Sequence, residues 1–278
     1  MCPIYVNDLT VDYTPSDPDA LAVADARARQ LLDALGCFLA RGLFGDEQLE
    51  PIRSDLRRLI GLRWRLAGLG PELPSESEPR FDDGLLALTR RRQAEVAVLQ
   101  EALCLLLSAR QVVGHPRLER LSRGLMGTQT VGHNEFTDNA RVQLSDGDHH
   151  LLLWHQDYPY VQDSEDGLVY WIPLHRCGER EGSLRLALGS HRLGVLPVRR
   201  PDSGADGPAP PYEIAEPAVV DRFPQLRVPV QAGDVLVFSP LLVHANDPNC
   251  SGRVRWALEV RHGDLEHPRA VARGWPVG

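Results

Sequence analysis

The sequence predicts a mainly β fold with a helical N-terminal half, a jelly-roll core flanked by α-helices. Two observations carry that expectation. Apolar residues at helical spacing fill the first half of the 278 residues. Short β-rich runs, separated by Gly, Asp, Asn and Pro, fill the second. Seven or eight such strands ordinarily form a sandwich or a barrel closed upon itself, and a jelly roll is the obvious candidate.

Taken in order, PDALAVADARARQLLDALG (18–36) is rich in Ala and Leu with helical spacing, and Gly36 is its stop signal. CFLARGLF (37–44) has the character of a strand, and GDEQLEPIRSDLRRLIGLRWRL (45–66) that of an amphipathic helix. The stretch 67–84, with its prolines and acidic residues, is expected to be a loop. Helical blocks follow from about Arg91 to Arg110 and from Pro116 to Met126. The strands of the second half are RVQL (141–144), LLLWHQD (151–157), LVYWIPL (168–174), SLRLAL (183–188), LRVPV (226–230), DVLVFSPLLVHA (234–245) and RVRWALEVRH (253–262). In the last of these, Val254, Trp256, Leu258 and Val260 share one face. The chain is expected to form one domain, 1–278, with a helical support region over about 18–126 and the β core over about 127–265. Residues 196–217, LPVRRPDSGADGPAPPYEIAEP, are too rich in Pro and Gly for regular structure, and a loop that long suits a lid over a site.

Composition removes several function classes. With 43% hydrophobic and 24% charged residues the chain is ordinary for a globular protein, and no apolar run reaches the ~18 residues of a membrane span. The N-terminus lacks a basic segment followed by an apolar one, so a cytoplasmic protein is expected. Five widely spaced cysteines without a CxxC pair argue against both a disulfide framework and a thiolate zinc site. A net charge of −8, with no compensating basic stretch, disfavours nucleic acid as a partner. All 30 basic residues are arginine, which excludes lysine chemistry such as a Schiff base.

The chemistry-bearing residues lie in WHQD (154–157) and LVHAN (242–246). Residues i and i+2 of a strand point to the same side, so His155 and Asp157 project together. His244 ends a later strand, where a jelly roll can bring it beside that pair. Two imidazoles and one carboxylate on one face of an octahedron leave three positions open, as in non-haem iron(II) oxygenases; zinc is chemically possible with the same ligands. Arg253 and Arg255 alternate with the apolar residues of the last strand. An interior arginine needs an anion, and a guanidinium grips a carboxylate through two hydrogen bonds. 2-Oxoglutarate, which can chelate iron at one end and offer a carboxylate at the other, fits both features. Strand periodicity does not choose between the two arginines. Gln143, inward-facing on the strand before WHQD, either reaches the same pocket or is purely structural.

WHQDYPY, LVYWIPL, EGSLRLALGSHRLG and AGDVLVFSPLLVHANDPNCSGRVRWALEVR together resemble the phytanoyl-CoA dioxygenase family over about residues 125–265. The resemblance implies a double-stranded β-helix, iron(II) held by His155, Asp157 and His244, and 2-oxoglutarate consumed with dioxygen. It selects Arg255, eleven residues after the distal histidine, as the arginine for the co-substrate carboxylate. It places Trp171 in the wall of the co-substrate pocket. Asn246 stands where the family often has a hydroxyl near the same carboxylate, so its amide is a departure. Gly189-Ser190-His191 is similar to the family's turn, with Leu188 in place of proline, and His191 is expected to be structural. His149 and His150 do not have the pattern of ligands, and Gly182 is expected to be scaffold. Because Asp157 fills the position that related halogenases leave to a small residue, hydroxylation of a C–H bond is the implied outcome. A natural-product intermediate, amino-acid derivative or sugar acid is the expected substrate. A non-catalytic binding protein on the same scaffold and a zinc hydrolase are the alternatives.

Overall fold

A short helix, α1 (Val6–Leu9), and a short strand, β1 (Thr10–Asp12), precede α2 (Pro18–Leu35). The Asp17 carboxylate accepts from Ala20 N at the start of α2, and Pro18 takes a position where no amide hydrogen is needed. Gly36 ends it at φ +82°, and a Cβ there would lie 2.5 Å from His191 Nδ1 and 2.8 Å from a Leu242 methyl. Only glycine permits that turn and that approach. The helix end is then tied to later segments, because Leu35 O accepts from Gly189 N and Gly36 O from Ser239 N. The computed structural model describes residues 4–74, 80–92, 94–133, 139–145, 153–161, 164–200 and 212–275.

Strand β2 (Cys37–Arg41) and helix α3 (Asp46–Leu66) follow, then α4 (Leu85–Arg91), α5 (Glu95–Leu105), α6 (Leu107–Val113) and α7 (Pro116–Met126). In α3 the buried residues Leu49, Ile52, Leu56, Ile60 and Trp64 recur every three or four positions, the stripe that an amphipathic helix buries. The expected single helix over 91–110 is instead two. Leu106 adopts an extended conformation (φ −63°, ψ 127°) between α5 and α6, so Leu103 and Leu106 both reach the core while Leu105 and Leu107 stay exposed.

The remaining elements are β3 (Val131–His133), β4 (Asn139–Gln143), α8 (Tyr158–Val161), β5 (Leu168–Pro173), β6 (Leu184–Ala187), β7 (Val198–Arg199), β8 (Glu213–Ile214), β9 (Gln225–Val228), β10 (Val235–Phe238), β11 (His244–Asn246), β12 (Arg255–Asp264) and α9 (Pro268–Arg273). Seven strands form one sheet in the order β1-β2-β10-β5-β12-β3, with β4 also paired to β12. Strands β11, β6 and β9 form a second sheet, and β7 and β8 a small hairpin.

Alternation on β12 explains how the layers assemble. Trp256, Leu258 and Val260 join Tyr170, Ile172, Val235 and Val237 in the core shared with α2, α3 and α5–α7. Ala257 faces the other way, into a second core with Trp171, Leu236 and Phe238 of the large sheet and Leu184, Leu186 and Val228 of the small one. The chain is therefore mixed α/β rather than mainly β, because helices supply a whole layer over one face of the large sheet. Among the described residues, no single helix is long and apolar enough to cross a membrane.

Candidate metal centre

In the described part of LLLWHQD, residues 153–157, the regular strand that its composition predicts does not form. Residues 151 and 152 lie outside the described residues, and the rest touches the small sheet at one bridge, His155 to His244. Each of these residues donates its amide to the other's carbonyl, at 2.9 and 3.0 Å, which sets the two side chains next to each other. Their ring centroids are 4.1 Å apart. Pro240 O accepts from the amides of both Asp157 (2.9 Å) and Tyr158 (3.0 Å), turning the Asp157 carboxylate toward the same point.

Both imidazoles are fixed in one tautomer. His155 Nδ1 faces Leu153 O at 2.7 Å and His244 Nδ1 faces Leu242 O at 3.0 Å. A carbonyl only accepts, so each Nδ1 carries the hydrogen and each Nε2 keeps a lone pair. The two Nε2 atoms lie 3.5 and 3.6 Å from Asp157 Oδ1. All three side chains are buried, and their ligand atoms, within 4.8 Å of one another, could hold a metal ion. Burial, then the neighbouring His155, pushes His244 down to about 4, so it is a neutral donor at ordinary pH. Burial pushes the Asp157 carboxyl up, but Arg261 and the two histidines outweigh it and hold the carboxyl well below the usual carboxylate range. His155 Nε2 and Asp157 Oδ1 are buried without a hydrogen-bond partner. Two imidazole lone pairs and a carboxylate oxygen left open in a buried site are the donor set that a divalent first-row metal completes.

Gln156, between the two ligands, points the other way and fastens the segment. Its amide donates to Gly194 O (2.9 Å) and Leu241 O (2.6 Å), and its Oε1 accepts from Leu196 N (2.8 Å). Ser190 Oγ accepts from Val243 N at 2.9 Å, which steadies the approach to His244 from the other side. The Gly189-Ser190-His191 turn is thus structural, as expected, and His191 Nε2 faces Asp33 O rather than the triad.

A second group of unpartnered atoms lies on the same inner face of the large sheet. Arg255 and Gln143 are directly paired across β12 and β4. Arg255 is 1% exposed, yet among the described residues its one hydrogen-bond partner is Gly182 O and no carboxylate forms an ion pair with it. Burial pushes this guanidinium down to about 10. Trp171 faces it, with the guanidinium carbon 5.8 Å from the ring centroid. Among the described residues, Arg255 Nε, Trp171 Nε1 and Gln143 Oε1 all lack hydrogen-bond partners. An unneutralised buried cation beside an unused N–H donor is a site shaped for an anion. Arg253, the other arginine of the pair, is exposed and lies outside β12.

The family model for phytanoyl-CoA dioxygenase matches residues 32–257. The chain belongs to the phytanoyl-CoA dioxygenase family, within the iron- and 2-oxoglutarate-dependent oxygenases. Among solved structures it is similar to the epimerase SnoN in complex with Fe3+, alpha ketoglutarate and nogalamycin RO, with TM-score 0.60 and 18% identity over 91% of this chain and 89% of that one. AviO1 from Streptomyces viridochromogenes Tue57 gives TM-score 0.57 and 21% identity over 88% and 96% of the two chains. EctD from S. alaskensis, with 2-oxoglutarate and 5-hydroxyectoine, gives 0.56 and 14% over 87% and 77%. At these identities the solved structures establish the shared fold.

Iron and 2-oxoglutarate are the cofactor and co-substrate of this oxygenase family, and His155, Asp157 and His244 are a donor set that fits the metal. Asn246 is half-buried on the His244 side of β11, but among the described residues no hydrogen bond joins its amide to Arg255 or Gln143. Gln143 Nε2 instead donates to the main-chain oxygen of the next residue, Asp247, at 3.2 Å. Gly182, expected to be scaffold, supplies the carbonyl for Arg255 at φ +81°. His149, His150 and residues 201–211 of the expected lid lie outside the described residues; on either side of the latter, β7 and β8 pair as a hairpin. A cavity of about 540 Å³ lined by Leu103, Ala109, Val113, His133 and Val260 opens on the opposite face of the large sheet and touches none of the triad.

Sequence reasoning missed two residues. Arg261, 3% exposed, donates from Nε to Asp157 Oδ2 at 3.0 Å and also pairs with Glu259. Glu259 accepts in turn from Arg141 Nε at 2.6 Å. Both sit on the inner face of β12 with Arg255, at steps of two residues, so the alternation in RVRWALEVRH that places Arg255 opposite the apolar residues could have found them.

Proposed function

We propose that the chain is an iron(II)- and 2-oxoglutarate-dependent dioxygenase that hydroxylates an unactivated C–H bond of a small molecule. In this reading the two facing sheets form a double-stranded β-helix, and residues 1–278 work as one oxygenase domain. His155, Asp157 and His244 hold the metal. Arg255 holds the distal carboxylate of 2-oxoglutarate, flanked by Trp171, Gln143 and Asn246. The observation that carries the proposal is Arg255: a buried cation with no anion of its own among the described residues, on the face that carries the triad. The SnoN structure, which contains Fe3+ and alpha ketoglutarate on the same fold, supports the pairing of these two ligands.

Bound iron and co-substrate supply dioxygen activation, with succinate and carbon dioxide formed as one oxygen atom enters the product. The chain's own work is orientation and exclusion of water. The fixed tautomers present two lone pairs without rearrangement, and the burial of all three ligands keeps bulk water from the reacting centre. The Arg255 fork sets the co-substrate's far end, so its near end meets the metal in one orientation.

The test is substrate-dependent, oxygen-dependent succinate release, screened over natural-product intermediates, amino-acid derivatives and sugar acids. Mass spectrometry of the product should show one added oxygen derived from dioxygen. A product isomeric with its substrate would replace hydroxylation by epimerisation. Metal-dependent hydrolysis without 2-oxoglutarate consumption would support the zinc alternative instead.

A further inference from the structure

We propose that Arg261, braced by Glu259, is a positioning residue that decides which oxygen of Asp157 meets the metal and restricts that carboxylate to a single coordination position. The inference rests on the reading of His155, Asp157 and His244 as metal ligands. The two carboxylate oxygens of Asp157 stand in different surroundings. Oδ2 is 3.0 Å from both Nε and Nη2 of Arg261. Oδ1 has no hydrogen-bond partner and lies 3.5 and 3.6 Å from the two imidazole Nε2 atoms. One oxygen is therefore occupied by the protein, and the other faces the metal position.

The distinction matters chemically. An octahedral metal bound by two imidazoles and one carboxylate oxygen keeps three positions, two for a chelating co-substrate and one for dioxygen. A carboxylate bound through both oxygens would leave two, which the chelate alone would fill. A planar guanidinium suits the task, because its fixed fork holds one oxygen at a defined angle, whereas an ammonium would neutralise the charge without fixing it.

Arg261 is itself prevented from swinging. Its Nη2 is also hydrogen-bonded to Glu259 Oε1, and Glu259 Oε2 accepts from Arg141 Nε at 2.6 Å. All three residues alternate on inner faces of paired strands, β12 and β4, so the brace is built from sheet register rather than from a loop.

The experiment titrates Co(II) and, anaerobically, Fe(II) into the full-length wild type, Arg261→Lys, Arg261→Ala and Glu259→Gln, recording affinity and the visible absorption of bound Co(II). That absorption strengthens as coordination number falls, so it reports the carboxylate's binding mode. The arginine variants should bind metal about 10–100-fold more weakly, the usual effect of losing a group that orients a ligand. Their Co(II) spectra should differ from wild type, and added guanidinium ion should restore the wild-type spectrum in Arg261→Ala. Glu259→Gln should move both readouts in the same direction by less. Wild-type affinity and spectrum in folded variants would overturn the proposal, as would a lowered melting temperature with both readouts unchanged. If Arg261→Ala does not fold, Arg261→Lys and Glu259→Gln decide the matter by the same two readouts. A wild type that binds neither metal would overturn the metal-site reading itself, and this inference with it.

Discussion

Replacing Arg255 by methionine should remove co-substrate binding without harming the fold, a combination that a structural arginine would not give. The guanidinium is 1% exposed and burial pushes it well below its ordinary value, down to about 10. A depression of that size corresponds to a penalty of about 3 kcal/mol on the charged form in the folded chain, at about 1.4 kcal/mol per pH unit. The sign is destabilising. The penalty is fully present below about pH 10 and is relieved as the pH rises through the folded value, so measurements at neutral pH see all of it. Methionine fills similar space without charge, at the loss of the hydrogen bond to Gly182 O, worth about 1 kcal/mol. The net expectation is a ligand-free protein more stable by about 2 kcal/mol, with a melting temperature about 4–8 °C higher. Binding shows the opposite effect. Loss of a buried, hydrogen-bonded charge pair with the co-substrate costs about 2–5 kcal/mol, or about 30- to 4000-fold in affinity. Scanning calorimetry with and without metal and 2-oxoglutarate therefore inverts the order: the variant melts higher alone, and the wild type gains more from saturating ligand. A ligand-free variant that melts lower, with unchanged 2-oxoglutarate affinity, would refute the reasoning.

Three other substitutions test the supports of the site. Gly182→Ala places a Cβ 2.6 Å from Asp247 O and 2.9 Å from Gln143 Oε1 at φ +81°; it should lose about 1–3 kcal/mol of stability and weaken 2-oxoglutarate binding, both measurable by melting with and without ligand. Gln156→Leu deletes three hydrogen bonds that anchor the turn between the ligands, and should lower stability by about 2–4 kcal/mol in urea denaturation while also weakening metal binding. Ser190→Ala leaves Val243 N unpaired next to His244; a loss of about 1–3 kcal/mol is expected, with iron affinity reduced but 2-oxoglutarate affinity per bound iron preserved.

The helices were legible because their ends carry explicit signals. Asp17-Pro18 and Gly36 bound α2, and Pro116 and Gly127 bound α7, so periodicity and termini agree. The break at Leu106 was not legible, since LCLLLS offers apolar residues on every side and only tertiary packing selects which are buried. Among the strands, β5, β6 and β12 follow the composition closely. DVLVFSPLLVHA is cut into β10 and β11, because Pro240 cannot donate to a ladder and its carbonyl turns instead to Asp157 and Tyr158. The spacing of His155 and Asp157 was visible in WHQD, but a regular strand is not what aims the two side chains. A single bridge to His244 and the Pro240 turn aim the two side chains. Arg255 was separable from Arg253 only by resemblance, and burial separates them physically. The role of Arg261 and Glu259 was not legible because alternation alone does not separate a charged strand residue that braces a ligand from one that meets water.

The central claim is that one site binds a metal through His155, Asp157 and His244 and 2-oxoglutarate through Arg255. Anaerobic titration of iron(II) and 2-oxoglutarate into the purified chain, followed by visible absorption, tests it most directly. The account predicts a coloured chelate at one equivalent per chain, lost in His155→Ala and in His244→Ala, and requiring far more 2-oxoglutarate in Arg255→Met. A folded wild type that binds iron(II) yet forms no chelate with 2-oxoglutarate would contradict it.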